Sequence, residues 1–272
     1  MGITTLSDLK KISKHTFFGD VTVLFQRVLI AAYFAVVFLC LWLINWSHFS
    51  WLSFILVSYI GLLVADFISG LIHLYIDYRP LNVQKGYDRL YDFEGDRNSA
   101  EFLAMKAEIQ RNSSWFDTTI YSFKMHHRTA LPNILMHYRD FFIEAVTPSF
   151  ILLLCSLFVS FVFPVSPWST YLAFFDVVVA VAALHSDIIH AWVHGSKTMP
   201  WGVKFARFML KYKLMYSMKT HGVHHKDGLT GFCFVIGHTN FAVNWICKKL
   251  LERGVIYRED WFGVPRTNAP TV

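Results

Sequence analysis

Apolar residues in this chain gather into four runs separated by polar stretches. The runs are Leu24–Asn45, interrupted only by Gln26 and Arg27 at its start; Trp51–Ile76, which carries Asp66; Val146–Phe163, which ends at Pro164; and Trp168–Val193, which carries Asp176 and Asp187. Each is close to the ~20 apolar residues that a helix needs to cross a hydrocarbon core. The first two are joined only by the short WSHFS turn and the last two by PVSPW, so the pattern predicts two helical hairpins. Two further stretches behave differently. Residues 202–220 mix Lys and Arg with Phe, Leu and Met, which suits a helix lying in a membrane interface. Residues 232–247 are apolar but short, and Gly237, His238 and Asn240 interrupt them, so they read as a cap or re-entrant piece rather than a fifth span. The polar, Asp- and Arg-rich 78–123 region reads as a folded insertion or lid. The predicted class is an all-α integral membrane protein. It has four transmembrane helices, a cytoplasmic histidine-rich cap and interfacial helices. Its expected divisions are an N-terminal segment 1–23, a transmembrane region 24–200 with a 78–142 insertion, and a cap and tail 201–272.

Composition and charge add sidedness. The chain is 54% hydrophobic and only 16% charged, against roughly 25% charged in soluble domains. Neither hairpin turn holds a Lys or Arg, whereas the N-terminal segment, 78–142 and the stretch after Val193 hold all but Arg27, which stands at the start of the first run. By the positive-inside rule those three pieces, and both termini, are cytoplasmic. The net charge of +6 then suits anionic headgroups, and no nucleic-acid partner is expected. Cys40, Cys155, Cys233 and Cys247 form neither a disulfide framework nor a metal-binding pair. No cleavable signal-peptide pattern opens the chain, and a weak myristoylation match at Gly2 is unnecessary beside spanning helices.

With the sides assigned, most of the thirteen histidines fall on one face of the membrane. His73 closes the second run, and His190 and His194 close the fourth. His126, His127, His137, His221, His224 and His225 all lie in cytoplasmic pieces, while His48 sits in the opposite turn. Imidazole is a ligand for iron, zinc and copper. His221, His224 and His225 have i, i+3, i+4 spacing, which puts three rings on one helical face, and His190 with His194 forms an i, i+4 pair. At 100° per residue Asp66, Gly70, His73 and Asp77 share one stripe of the second run, and Asp176, Asp187, His190 and His194 share one of the fourth. His185 falls about 140° from His190 and faces elsewhere. A carboxylate inside a bilayer costs ~2.5–3.5 kcal/mol on insertion scales. Carboxylates beneath metal-bound histidines have a use, which is to accept the free ring N–H. So many ligands exceed one coordination sphere, and two metals with four or five nitrogens each is the simplest fit. A single tetrahedral zinc would leave half of them idle, whereas a non-haem di-iron centre uses them.

The segments VADFISGLIHLYID (64–77), His126-His127, IHAWVH (189–194) and HGVHH followed by FCFVIGHTN together resemble the Kua family. That family includes plasmanylethanolamine desaturases and a plant plastid fatty-acid desaturase. The resemblance implies a membrane lipid desaturase with two iron ions and O₂ as co-substrate. It also implies an electron donor such as cytochrome b5 or ferredoxin. The implied metal-site residues are His73, Asp77, His126, His127, His190, His194, His221, His224 and His225, together with His137. Asp66, Asp176, Asp187 and Asn240 are candidates to support them. The implied substrate is a membrane phospholipid or acyl lipid, such as a plasmanylethanolamine converted to its vinyl ether. The implied location is the endoplasmic reticulum membrane in a eukaryote or the inner membrane in a bacterium. The chain departs from the family pattern in a longer His73–His126 interval, in the Tyr-Arg-Pro that follows Asp77, and in the spacing of Pro132 and His137 after the double histidine. Rival readings are a hydroxylase of fatty acids or sterols on the same scaffold, and a non-enzymatic metal-binding membrane protein.

Overall fold

A computed structural model describes residues 23–129, 138–194 and 202–261, and every regular element among them is helical. The chain divides into two compact units. The larger holds residues 23–73, 138–194 and 202–246, and the smaller holds 74–129 and 247–261.

Four long helices build the larger unit: α1 (Val23–Leu43), α2 (Trp51–Asp77), α6 (Tyr138–Val162) and α7 (Pro167–Val193). Their bounds match the four apolar runs to within a few residues, except that α6 begins eight residues earlier. The turns between them end the helices by local chemistry. Asn45 accepts from the Ser47 amide and caps the 3-10 turn Trp46–His48. Ser166 and Ser169 form a reciprocal capping box, with Pro167 at the first helical position. Tyr33, Val37 and Cys40 of α1 pack among Val146 and Leu153 of α6 and Val177, Ala180 and Leu184 of α7. Helix α2 approaches α7 through small residues. A Cβ on Gly61 would lie 2.8 Å from Val178 Cγ1, and Ala65 packs with Val179 and Ala182. Such close backbone approach is how helices associate where burial of apolar surface gives no drive.

Outward-facing side chains of the four long helices are largely apolar. Phe38, Leu52, Phe158 and Phe161 are more than half exposed, far more apolar surface than a water-facing fold tolerates. Helices α2 and α7 are long and apolar enough to cross a membrane, and Arg27–Leu43 and Val146–Val162 are shorter apolar stretches. Trp42, Trp51 and Trp168, each over 80% exposed, sit beside the two turns, which His48 ties together. Its Nδ1 lies 3.0 Å from Thr170 Oγ1, and its carbonyl accepts from Tyr171 Oη at 2.8 Å. Tryptophan is enriched where membrane helices meet water. His73 follows Trp51 by 22 positions, as His190 follows Trp168. That is roughly 33 Å along each helix, about the thickness of a hydrocarbon core.

Three shorter helices complete the larger unit: α8 (Val203–Lys211), α9 (Met218–Asp227) and the first part of α10 (Asn240–Glu252). Helix α8 exposes Phe205 and Phe208 alongside Lys204 and Arg207, the composition expected of an interfacial helix.

The smaller unit contains α3 (Tyr87–Tyr91), α4 (Ala100–Arg111), α5 (Trp115–Thr129) and α11 (Arg258–Trp261). Its core is Ile76, Leu81, Tyr87, Leu90, Phe102, Ile109, Ile120 and Tyr121. The Arg97 guanidinium closes the end of α3 by donating to the carbonyls of Leu90, Tyr91 and Phe93 at 3.0, 2.8 and 3.0 Å. The polar 78–123 stretch is thus folded, and residues near the C-terminal end of the described chain help to complete it.

Candidate metal centre

Within the larger unit, α7 and α9 bring four imidazoles to one point. His190 is on the last turn of α7 and His194 caps that helix; His221 and His225 come from α9. His221 Nε2 lies 2.9 Å from His190 Nε2, 2.7 Å from His194 Nε2 and 3.0 Å from His225 Nε2. His194 Nε2 lies 3.3 Å from His190 Nε2. One ring nitrogen carries at most one proton or one lone pair, so three neighbours around His221 Nε2 do not form an ordinary hydrogen-bond network. A shared cation would account for them. Nitrogens bound at about 2.0–2.1 Å to one metal stand roughly 3.0–3.4 Å from each other. The donor set fits a metal ion.

A second group adjoins it. His73 on α2 and His224 on α9 have ring centroids 4.7 Å apart and offer ligand nitrogens within 4.8 Å of each other. The His73 ring lies 5.6 Å from that of His190. Both rings are held by backbone. His73 Nδ1 donates to the Phe232 carbonyl at 2.9 Å, and His224 Nδ1 donates to the Thr230 carbonyl at 2.8 Å. A carbonyl only accepts, so each Nδ1 carries the proton and each Nε2 the lone pair, as a metal requires.

The segment that supplies these carbonyls, 229–239, is the part of the site least visible in sequence. It is non-helical and largely buried, so its amide N–H groups need acceptors. Asp66, buried in the middle of α2, provides them. Its Oδ1 accepts from the amides of Val235, Ile236 and Gly237 at 3.1, 2.9 and 2.9 Å. Its Oδ2 accepts from the Thr239 amide and hydroxyl at 3.0 and 2.7 Å. Asn240 closes the segment. Its side-chain oxygen accepts from the Cys233 amide at 2.9 Å, and its Nδ2 donates to the Cys233 and Gly237 carbonyls. Gly237, at φ +78, has no room for a Cβ beside Tyr216. Gly70 faces Cys233 so closely that a Cβ would lie 2.3 Å from its Sγ. Phe234 stacks on His190 with centroids 4.6 Å apart and planes at 19°. The carboxylate expected to receive the His73 ring N–H therefore acts one step further out. It holds the loop whose carbonyl does the receiving.

Electrostatics favour neutral rings. Burial, then the neighbouring imidazoles, holds His221 far below the ordinary histidine range. His194 is pushed down to about 4, by burial first and then by His225 and His224. A neutral imidazole is the metal-binding form.

The smaller unit carries the remaining described candidates. His127 Nδ1 lies 3.6 Å from Asp77 Oδ1, its ring stacks on Trp261 at 5.1 Å, and the His126 ring is 5.7 Å from it. The buried Lys124 donates to the Asp77 carbonyl at 2.8 Å and to the Asp260 carbonyl. Burial brings its ammonium down to about 8, an effect the Asp77 and Asp260 charges partly offset. Sequence reasoning missed Lys124, Asp260 and Trp261, which show no motif.

The other two expected carboxylates lie on α7. Asp176 shares the angular stripe of His190 but precedes it by fourteen positions, roughly 21 Å along a straight helix; it is buried. Asp187 is one turn from His190 and partly buried. His185 bonds the Val181 carbonyl through Nδ1. His137 lies outside the described residues.

The described chain is thus a helical protein with apolar helices of membrane length and two histidine-rich groups that could hold metal ions. A family model, the lipid desaturase domain, matches residues 111–257, more than half of the chain, and the chain belongs to that family. This is the family that the histidine motifs resemble. The matched span takes in the double histidine, the histidines of α7 and α9, and Asn240; Asp66, His73 and Asp77 precede it. No curated protein and no solved structure gives a significant match.

Proposed function

We propose that this chain is a multi-pass membrane lipid desaturase that uses a di-iron centre and O₂ to introduce a double bond into a lipid alkyl or acyl chain. The observation that carries the reading is the convergence of the His190, His194, His221 and His225 nitrogens beside the His73–His224 pair, in a member of the lipid desaturase family. The proposed ligands are these six histidines with Asp77, His126 and His127 carried over from the motif, and His137 as a further candidate. An all-imidazole and carboxylate donor set suits iron.

When bound, the metals supply the oxidising power by which two hydrogens leave the lipid chain while O₂, two electrons and two protons yield two waters. The chain's own residues position and insulate. The Phe232 and Thr230 carbonyls hold His73 and His224 in the Nδ1–H tautomer. Phe232, Phe234 and Val235 are almost wholly buried around them and keep bulk water from the reacting carbons. Asp66 and Asn240 keep that wall in place.

In this account α1, α2, α6 and α7 are four spans in two hairpins. The exposed tryptophans mark the far interface, and the histidine end, the 78–142 stretch and both termini are cytoplasmic. The electron donor is a soluble or membrane-bound one-electron carrier such as cytochrome b5 or ferredoxin. The location is the endoplasmic reticulum in a eukaryote or the inner membrane in a bacterium. Substrates to try first are plasmanyl phospholipids, whose product is a vinyl ether, and acyl lipids. Lipid analysis of cells with and without the chain tests the proposal. New carbon–carbon double bonds in a defined lipid class are expected, and they should be lost in His224→Ala. Oxygen retained in the product would establish the hydroxylase instead, and unchanged lipids with full metal binding would overturn both.

A further inference from the structure

An apolar groove with about 480 Å³ of free volume, open along one side, lies between α1, α2 and α7. Nine of its ten lining residues are aliphatic and the tenth is His185, the histidine whose helix angle removed it from the metal stripe. Its Nδ1 is already engaged by the Val181 carbonyl at 2.7 Å, so even this residue spends one polar atom on its own helix. The volume is in the range of small-molecule sites, and a wall of this kind suits hydrocarbon and little else.

The groove runs lengthwise. On α7 it is lined from Val177 to Ile189, twelve positions or roughly 18 Å, and at the α1 side by Val37 and Leu41. Its other end is bounded by Ile189 and Val235. These are the chain neighbours of His190 and Phe234, whose rings stack 4.6 Å apart. An occupant that fills the groove therefore ends against the wall of the metal group.

We infer that this groove holds the aliphatic chain of the lipid substrate, with the reacting carbons beside Ile189 and Val235 and the methyl end beside Val37 and Leu41. The inference rests on the desaturase reading for the identity of the lipid as substrate. The groove's chemistry and its position beside His190 carry the rest. The α1 end is the ruler: the bulk of Val37 and Leu41 there sets the length of chain that brings reactive carbons to the histidines.

Two measurements on the full-length, metal-loaded protein in nanodiscs test this. In the first, phosphatidylcholine bearing a mid-chain diazirine is photolysed and the labelled peptides are mapped. Label on Leu41, Val181 or His185 is expected, and it should be lost in Ala182→Phe with metal content unchanged. Label confined to outward residues such as Phe38 and Phe158 would overturn the inference. In the second, product chain lengths are compared for two changes at the far end that do not touch the metal site. Leu41→Trp should lower turnover of the longest chains relative to the shortest by about tenfold or more, the discrimination expected for misfit methylenes. Leu41→Ala should extend the tolerated length. The same profile in both variants would overturn the ruler. If groove labelling is seen but no lipid is oxidised, the chain-binding inference stands and the desaturase reading fails.

Discussion

Replacing Asp66 by Asn separates two roles for a carboxylate inside an apolar helix. In the structure it accepts five hydrogen bonds from the 235–239 segment and none is needed by a metal ligand. The amide oxygen of Asn can keep the three bonds now made by Oδ1. The amide nitrogen then faces the Thr239 N–H, donor against donor, while the Thr239 hydroxyl can turn to accept. One buried backbone N–H is thus left without an acceptor, at about 1–3 kcal/mol, and three bonds lose their charge assistance. The neutral amide recovers part of the cost of burying a charge, leaving a net local destabilisation of ~2 kcal/mol. That corresponds to roughly a 30-fold larger opening constant for the segment. Hydrogen exchange of peptides covering 231–240, measured in nanodiscs, reads it directly. Faster exchange at Val235–Thr239 is expected, with weaker metal retention as the Phe232 carbonyl loosens its hold on His73. Metal loss with unchanged exchange would place the carboxylate's role at the metal and refute the cradle.

Three further outcomes are expected. Gly70→Ala should destabilise the protein by about 1–3 kcal/mol, because its Cβ would meet Cys233 Sγ at 2.3 Å; thermal unfolding should show partial recovery when Cys233→Ala is added, and strict additivity would contradict the contact. His48→Ala should keep full metal content and activity and cost about 1 kcal/mol through the lost Thr170 bond; an inactive, correctly folded variant would overturn the placement of the site at the opposite helix ends. Metal-stripped protein should lose stability as pH falls below about 6.5, since the unfolded chain then takes up protons that partly buried His194 and buried His221 refuse. The slope should reach at most about 1.4 kcal/mol per pH unit for each histidine, and His194→Gln should reduce it.

Helical periodicity is local, and what it governs was legible. The four apolar helices, the i, i+4 pair His190–His194 and the i, i+3, i+4 set on α9 follow from spacing alone. What was not legible depends on rise and on backbone. Asp176 shares an angle with His190, yet helical rise carries it roughly 21 Å away. The acceptors for His73 and His224 are carbonyls of Phe232 and Thr230, and a carbonyl leaves no letter in a sequence. Asp66 reads as an expense inside an apolar run until its partners, about 170 positions on, are placed against it. Lys124 and Trp261 meet their contacts across a similar gap, between 74–129 and 247–261.

The central claim is that histidines on α2, α7 and α9 hold two metal ions. Elemental analysis of protein purified under anaerobic conditions, with Mössbauer spectra of iron-57-labelled samples, tests it most directly. About two irons per chain in an exchange-coupled pair are expected, with the pair lost in both His221→Ala and His224→Ala while the helical content is retained. One metal per chain, or two that survive both substitutions, would contradict the account.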